Sequence, residues 1–113
     1  MDRIRIAERE LMAKRVVITF MSGAEDGREV MPGGALISIG REEHNGVVVP
    51  YDSRVSRRHA QIELAGDQLR LSDLGSRNGT YLEDGICVTS PTAVAPGTLF
   101  QLGRTWLRAD LVD

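Results

Sequence analysis

His59-Ala60-Gln61-Ile62-Glu63-Leu64, followed by Ala65-Gly66-Asp67 and then Gln68-Leu69-Arg70-Leu71, is the stretch whose reading decides the fold. Apolar Ala60, Ile62 and Leu64 alternate with polar His59, Gln61 and Glu63, the period of two that marks a half-buried strand. Leu69 and Leu71 resume the alternation beyond the Ala65-Gly66-Asp67 turn, so the two runs read as a β-hairpin.

Outward from this hairpin the same texture continues in both directions. Short apolar runs fall at Val16 to Met21, Leu36 to Ile39, Val47 to Val49, Tyr81-Leu82, Ile86 to Val88, Ala93-Val94, Leu99 to Leu102 and Trp106 to Val112, separated by Gly, Pro, Asn and Asp. Many short strands with frequent turn signals predict an all-β sandwich with no long central helix. All 12 glycines lie after residue 22, and the texture changes near Arg15. Residues 1–15 therefore read as a lead-in segment and 16–113 as the β domain. In the lead-in, Ile4, Ala7 and Leu11 form a thin stripe and Glu10 and Lys14 stand at i,i+4, which suits a short helix or a disordered leader.

The chain has 113 residues, enough for one domain with a real core. Its net charge of -2 argues against a general nucleic-acid binder, whose affinity rests on neutralising many phosphates. No apolar run approaches the roughly 20 residues needed to span a bilayer, so no membrane partner is expected. Cys87 is the sole cysteine, which removes any intramolecular disulfide and fits a reducing, cytoplasmic setting. His44 and His59 with Cys87 have no metal-ligand spacing, so neither a metal nor another cofactor is expected.

Three blocks fall where strand patterns break into turns: Gly40-Arg41, Ser56-Arg57-Arg58-His59 and Ser76-Arg77-Asn78-Gly79-Thr80. They supply guanidinium groups, small hydroxyls and a carboxamide, the donors that hold a phosphate dianion within a peptide. Each has a plainer reading. Arg41 also suits a surface ion pair with Glu42 or Glu43, and Asn78-Gly79 suits a tight turn in which both residues tolerate positive φ. His59 reads as a structural imidazole that holds its loop in shape. Ser56, His59 and Asp73 contain the letters of a hydrolase triad, but no Gly-x-Ser-x-Gly elbow or oxyanion hole accompanies them, so an enzyme is not expected.

On these blocks the sequence resembles the forkhead-associated (FHA) domain family. The resemblance runs from Val16 to about Val112, through Gly40-Arg41, Asn45, Asp52, Val55 to Ala60, Leu71 to Tyr81, Pro96-Gly97 and Leu102-Gly103. It implies a two-sheet sandwich of about eleven strands with the binding loops at one end, and recognition of phosphothreonine in a partner protein. Such a partner would be the substrate of a Ser/Thr kinase, and the module an adaptor in signalling. Residue by residue, it implies that Arg41, Ser56 and Arg57 contact the phosphate, that Arg77 shares in this, and that Asn78 bonds the ligand backbone. Arg54 would read an acidic residue three after the phosphothreonine, and Gly40, His59 and Gly79 would shape the loops. The other expectation carried forward is a scaffold of the same fold that binds a partner or itself without phosphate, through a sheet face bearing Trp106.

Overall fold

The computed structural model describes residues 14–113. The expectation of a helix or leader in the first segment falls almost wholly outside them. Ten strands are present among the described residues: β1 (Arg15–Phe20), β2 (Glu29–Val30), β3 (Leu36–Gly40), β4 (Val47–Val48), β5 (Ala60–Ala65), β6 (Gln68–Asp73), β7 (Thr80–Leu82), β8 (Thr92–Val94), β9 (Thr98–Leu102) and β10 (Thr105–Val112). They form two five-stranded sheets, in the order β2-β1-β10-β9-β7 and β4-β3-β5-β6-β8. A single 3₁₀ turn at Gly23–Glu25 interrupts the β1–β2 connection.

The deciding hairpin has the expected register, with Ile62 opposite Leu71 and Leu64 opposite Leu69. Its alternation sends Ala60, Ile62, Leu69 and Leu71 into the core and leaves Arg70 exposed. The facing sheet contributes Val16, Ile18, Phe20, Phe100, Leu102, Leu107 and Ala109, all buried in the same cluster. Burying each large apolar side chain is worth about 1.5–3 kcal/mol, so these inward rows are what hold the two sheets face to face. The terminal strands pair along their length, from Arg15 opposite Val112 to Phe20 opposite Leu107, which closes the domain by its most distant segments.

Two details differ from the sequence reading. The run Ile86 to Val88 is not a strand: it makes an isolated bridge between Tyr81 and Cys87, and Ile86 remains 59% exposed. The two-residue β2, which has too few residues to show a period, is held against β1 with Val30 opposite Ile18. No helix among the described residues is long and apolar enough to cross a membrane.

The topology gathers the loops. β3 ends at Gly40, β5 begins at Ala60, β6 ends at Asp73 and β7 begins at Thr80. Since Ile39 lies opposite Ala60 and Ala60 opposite Asp73, loops 41–46, 49–59 and 74–79 leave the sandwich at one end.

Candidate functional site

Gly40 makes the first junction possible. A Cβ built there would lie 2.2 Å from the Arg57 carbonyl oxygen and 2.8 Å from Asn45 Nδ2, contacts no real side chain tolerates. Its absence lets the next residues zip onto the 49–59 loop: the Arg41 N–H donates to the Ser56 carbonyl at 3.1 Å and the Glu42 N–H to the Arg57 carbonyl at 3.3 Å. Asn45, buried beside them, donates through Nδ2 to the carbonyls of Arg57 at 2.8 Å and Glu42 at 2.7 Å.

His59 makes the second junction from within the core, at 0% exposure. Its Nδ1 accepts the Ser56 N–H at 2.9 Å and its Nε2 lies 2.8 Å from the Gly79 carbonyl oxygen. An acceptor on one nitrogen and a donor on the other describe the neutral imidazole protonated at Nε2. Both nitrogens are thus committed to backbone groups on two loops. The Ser56 hydroxyl is not what His59 holds, so the pair is not arranged as nucleophile and base.

Asp73 builds the third loop. Its Oδ1 accepts the hydroxyls of Ser76 at 2.6 Å and Thr80 at 2.7 Å, and its Oδ2 accepts the Ser76 N–H at 2.9 Å. Ser76 Oγ in turn accepts the Gly79 N–H at 2.9 Å. Burial raises the Asp73 carboxyl, but the Ser76 and Thr80 hydroxyls and the Ser76 N–H outweigh it and hold the group below its usual value. Gly79 takes φ 84°, and no residue other than glycine has positive φ among the described residues. Asn78 therefore does not share the left-handed turn that the Asn78-Gly79 pair suggests in sequence.

Asp52 does similar work on the other flank. Its Oδ1 accepts the Arg54 N–H at 3.0 Å, while its Oδ2 accepts the Arg104 N–H at 2.8 Å and the Thr105 hydroxyl at 2.7 Å. Burial raises its carboxyl too, and the bonds from Thr105, Arg104 and Arg54 with the Arg104 charge bring it below the usual value. Asp52 and Asp73 are thus ionised and turned inward, saturated by donors.

On the outside of the same end stand Arg41, Arg54, Arg57 and Arg77, with Glu42 and Glu43 as the acids of loop 41–46. Arg41 donates through Nε to the Val55 carbonyl at 3.0 Å, which fixes the guanidinium plane and leaves both Nη amines without an acceptor among the described residues. It forms no ion pair with Glu42 or Glu43; Glu42 instead lies 3.7 Å from Arg57 Nε and 3.0 Å from His44 Nε2. Arg54, Arg57 and Arg77 are exposed at the same end. Ser56 Oγ accepts the Arg77 N–H at 3.1 Å, and its own hydrogen finds no acceptor among the described residues. Asn78 Nδ2 donates to the Arg54 carbonyl at 2.9 Å, so its Oδ1 faces away with no donor among the described residues.

All the residues singled out in sequence, Gly40, Arg41, Arg54, Ser56, Arg57, His59, Arg77, Asn78 and Gly79, meet at this one end through direct bonds between their loops. Asn45 and Asp52, named in sequence only as part of the family pattern, and Asp73, weighed there only as a triad member, are the scaffold of the loops. The Asp73 to Ser76 spacing, an acid accepting a backbone N–H three residues on, is a local turn signature that would have revealed one of them. Trp106 stands half-buried on the outer face of its sheet, opposite Gln101, which in turn lies opposite Tyr81. Among the described residues no group of three or more His, Cys, Asp and Glu could hold a metal ion.

A family model described as the FHA domain matches residues 37–103. The FHA domain-containing protein FhaB of Mycolicibacterium smegmatis is 35% identical over 98 residues, a match covering 87% of this chain and 61% of that protein. The match thus spans less than two thirds of the length of that curated relative. Among solved structures, the chain is similar to one from work on phosphothreonine-dependent FHA domain interactions, with a TM-score of 0.74, 27% identity, and coverage of 88% of this chain and 98% of that one. It is also similar to the FhaA FHA domain complexed with the intracellular domain of Rv3910, with a TM-score of 0.70, 28% identity, and coverage of 83% and 98%.

Proposed function

The chain belongs to the forkhead-associated (FHA) domain family, and on that premise we propose that it binds phosphothreonine in a partner protein and acts as an adaptor in Ser/Thr kinase signalling. The observation that carries this reading is the state of Ser56: one lone pair of Oγ is filled by the Arg77 N–H at 3.1 Å, leaving the hydroxyl hydrogen to be given to an outside acceptor. A phosphate dianion supplies such acceptors on every face.

Arg41 supports the reading with two unspent Nη amines on an oriented guanidinium, and Arg57 and Arg77 add exposed positive charge at the rim. Asn78, anchored by Nδ2 to the Arg54 carbonyl, keeps its Oδ1 for a ligand backbone N–H, which sets the register of an extended peptide. Arg54 then stands where an acidic residue three after the phosphothreonine would be met. Gly40, His59 and Gly79 hold the loops so that these donors need not be ordered on binding, which limits the entropic cost.

Charge-assisted hydrogen bonds are worth about 1.5–3 kcal/mol each. Three or four of them, set against the loss of freedom of a flexible peptide, correspond to affinity on the micromolar scale, about -8 kcal/mol. Titration of an oriented phosphothreonine peptide library and its unphosphorylated twin by fluorescence anisotropy tests the proposal. Binding confined to the phosphorylated set, and competed by phosphothreonine, is expected; equal binding of the two sets would refute it.

A further inference from the structure

Loop 74–79 has two sides. One carries the proposed phosphate contacts; the other walls an open groove of about 520 Å³ lined by Arg77, Asn78, Gly79, Tyr81, Cys87 and Val88. A short ribbon forms its floor: the Val88 N–H donates to the Thr80 carbonyl at 2.8 Å and the Leu82 N–H to the Ile86 carbonyl at 2.9 Å, with Tyr81 bridged to Cys87. Bridged partners project from one face of a ribbon, so the Tyr81 ring and the Cys87 thiol stand together, both exposed. The ring packs against Gly79, where an added Cβ would meet it at 3.0 Å.

The charge inventory of this groove is simple. Its one carboxylate, Asp73, is already saturated by Ser76 and Thr80, and its one cation is Arg77. Between them lie the Tyr81 ring, the Cys87 thiol, Val88, the backbone of two glycines and the uncharged polar residues Ser76, Asn78 and Thr89. A neutral apolar side chain can settle against the Tyr81 ring and the Cys87 thiol without stranding a charge, whereas an acid would find only Arg77, which the proposed phosphate contact already uses, and a base would find no free carboxylate. Continuity with the phosphate site is direct, since Arg77 and Asn78 belong to both.

We infer that the groove is a second reading site on the same ligand: a residue flanking the phosphothreonine on the side away from Arg54 inserts an apolar side chain between Tyr81 and Cys87. This rests on the phosphothreonine reading and narrows its ligand class to phosphopeptides with an apolar flank.

The test uses phosphopeptides in which leucine or alanine is scanned through the positions on either side of the phosphothreonine, each with its unphosphorylated form, against the chain and its Cys87→Gln variant. At one flanking position leucine should bind about tenfold more tightly than alanine, and in Cys87→Gln that ratio should fall below about twofold. Cys87 is the only cysteine, so its alkylation by iodoacetamide is a clean second readout, and the leucine peptide should slow it while the alanine peptide at equal occupancy should not. Phosphate-dependent binding with no leucine advantage would overturn the groove and leave the phosphothreonine reading standing, as would an advantage that survives Cys87→Gln with alkylation unslowed. Binding indifferent to phosphate would overturn both.

Discussion

Replacing Ser56 with alanine separates binding from folding. The substitution deletes one oxygen that makes one internal bond, from the exposed Arg77 N–H at 3.1 Å, and that holds one unspent hydrogen. Water can replace the oxygen as acceptor for that N–H, so stability should fall by about 0.5 kcal/mol, which is about 2–4 °C in Tm for a domain of this size. The lost donor to a phosphate oxygen is charge-assisted and worth about 1.5–3 kcal/mol, an affinity loss of about 10- to 100-fold. Isothermal titration with a phosphothreonine peptide and a circular-dichroism melt of the same sample measure both quantities. The Ser56 N–H to His59 contact is a backbone bond and survives the change, so the loop should keep its shape. An affinity loss below about threefold, with Tm unchanged, would refute the assignment of the Ser56 hydroxyl to the phosphate. A Tm drop above about 10 °C would refute the claim that the hydroxyl is spare in the folded loop.

Other perturbations address the scaffold. Gly40→Ala forces a Cβ to within 2.2 Å of the Arg57 carbonyl, a backbone atom that cannot swing aside, so chemical denaturation should show a loss of about 2 kcal/mol or more and phosphopeptide affinity should fall with it. His59→Phe keeps an aromatic ring, larger than imidazole by one ring atom, but leaves the Ser56 N–H and the Gly79 carbonyl unpaired in the interior; a destabilisation of about 2–4 kcal/mol is expected in the same assay. Asp52 and Asp73 both have carboxyl groups held below their ordinary value, so they stabilise the fold fully above about pH 4, and that contribution fades as pH falls through the lower folded values. Asp73→Asn should therefore cost about 2 kcal/mol near neutrality, with the gap in Tm from the parent chain narrowing as pH drops below about 4. A gap that widened on acidification would contradict the ionised network at Asp73.

Legibility in the sequence followed the range of the interactions. The hairpin from Ala60 to Asp73 declares itself because its two strands are adjacent and each has one face in the core. The parallel pairing of β3 with β4, and the capture of Glu29–Val30 by β1, leave no periodic trace in runs of two residues. Ile86 to Val88 is apolar enough to look like a strand, yet only Val88 is buried, and one bridge is all the segment makes. At the candidate site, the residues that present themselves to solvent could be picked from loop positions and from a family resemblance. Their supports were harder, because Asp52 reaches Thr105 across 53 positions and His59 reaches Gly79 across 20. Such bonds are made by the fold and have no signature in local spacing. Asn78 shows the reverse case: a strong local signal for a left-handed turn was overridden when its side chain found the Arg54 carbonyl.

The most direct measurement is a map of backbone amide shifts by heteronuclear NMR as a phosphothreonine peptide is added, repeated with the unphosphorylated peptide. If loops 41–46, 49–59 and 74–79 together hold one dianion, the largest changes fall on Arg41, Ser56, Arg57, Arg77 and Asn78, and only with the phosphorylated peptide. Changes centred on the opposite end of the sandwich or on the sheet face bearing Trp106, or identical maps for the two peptides, would contradict the account.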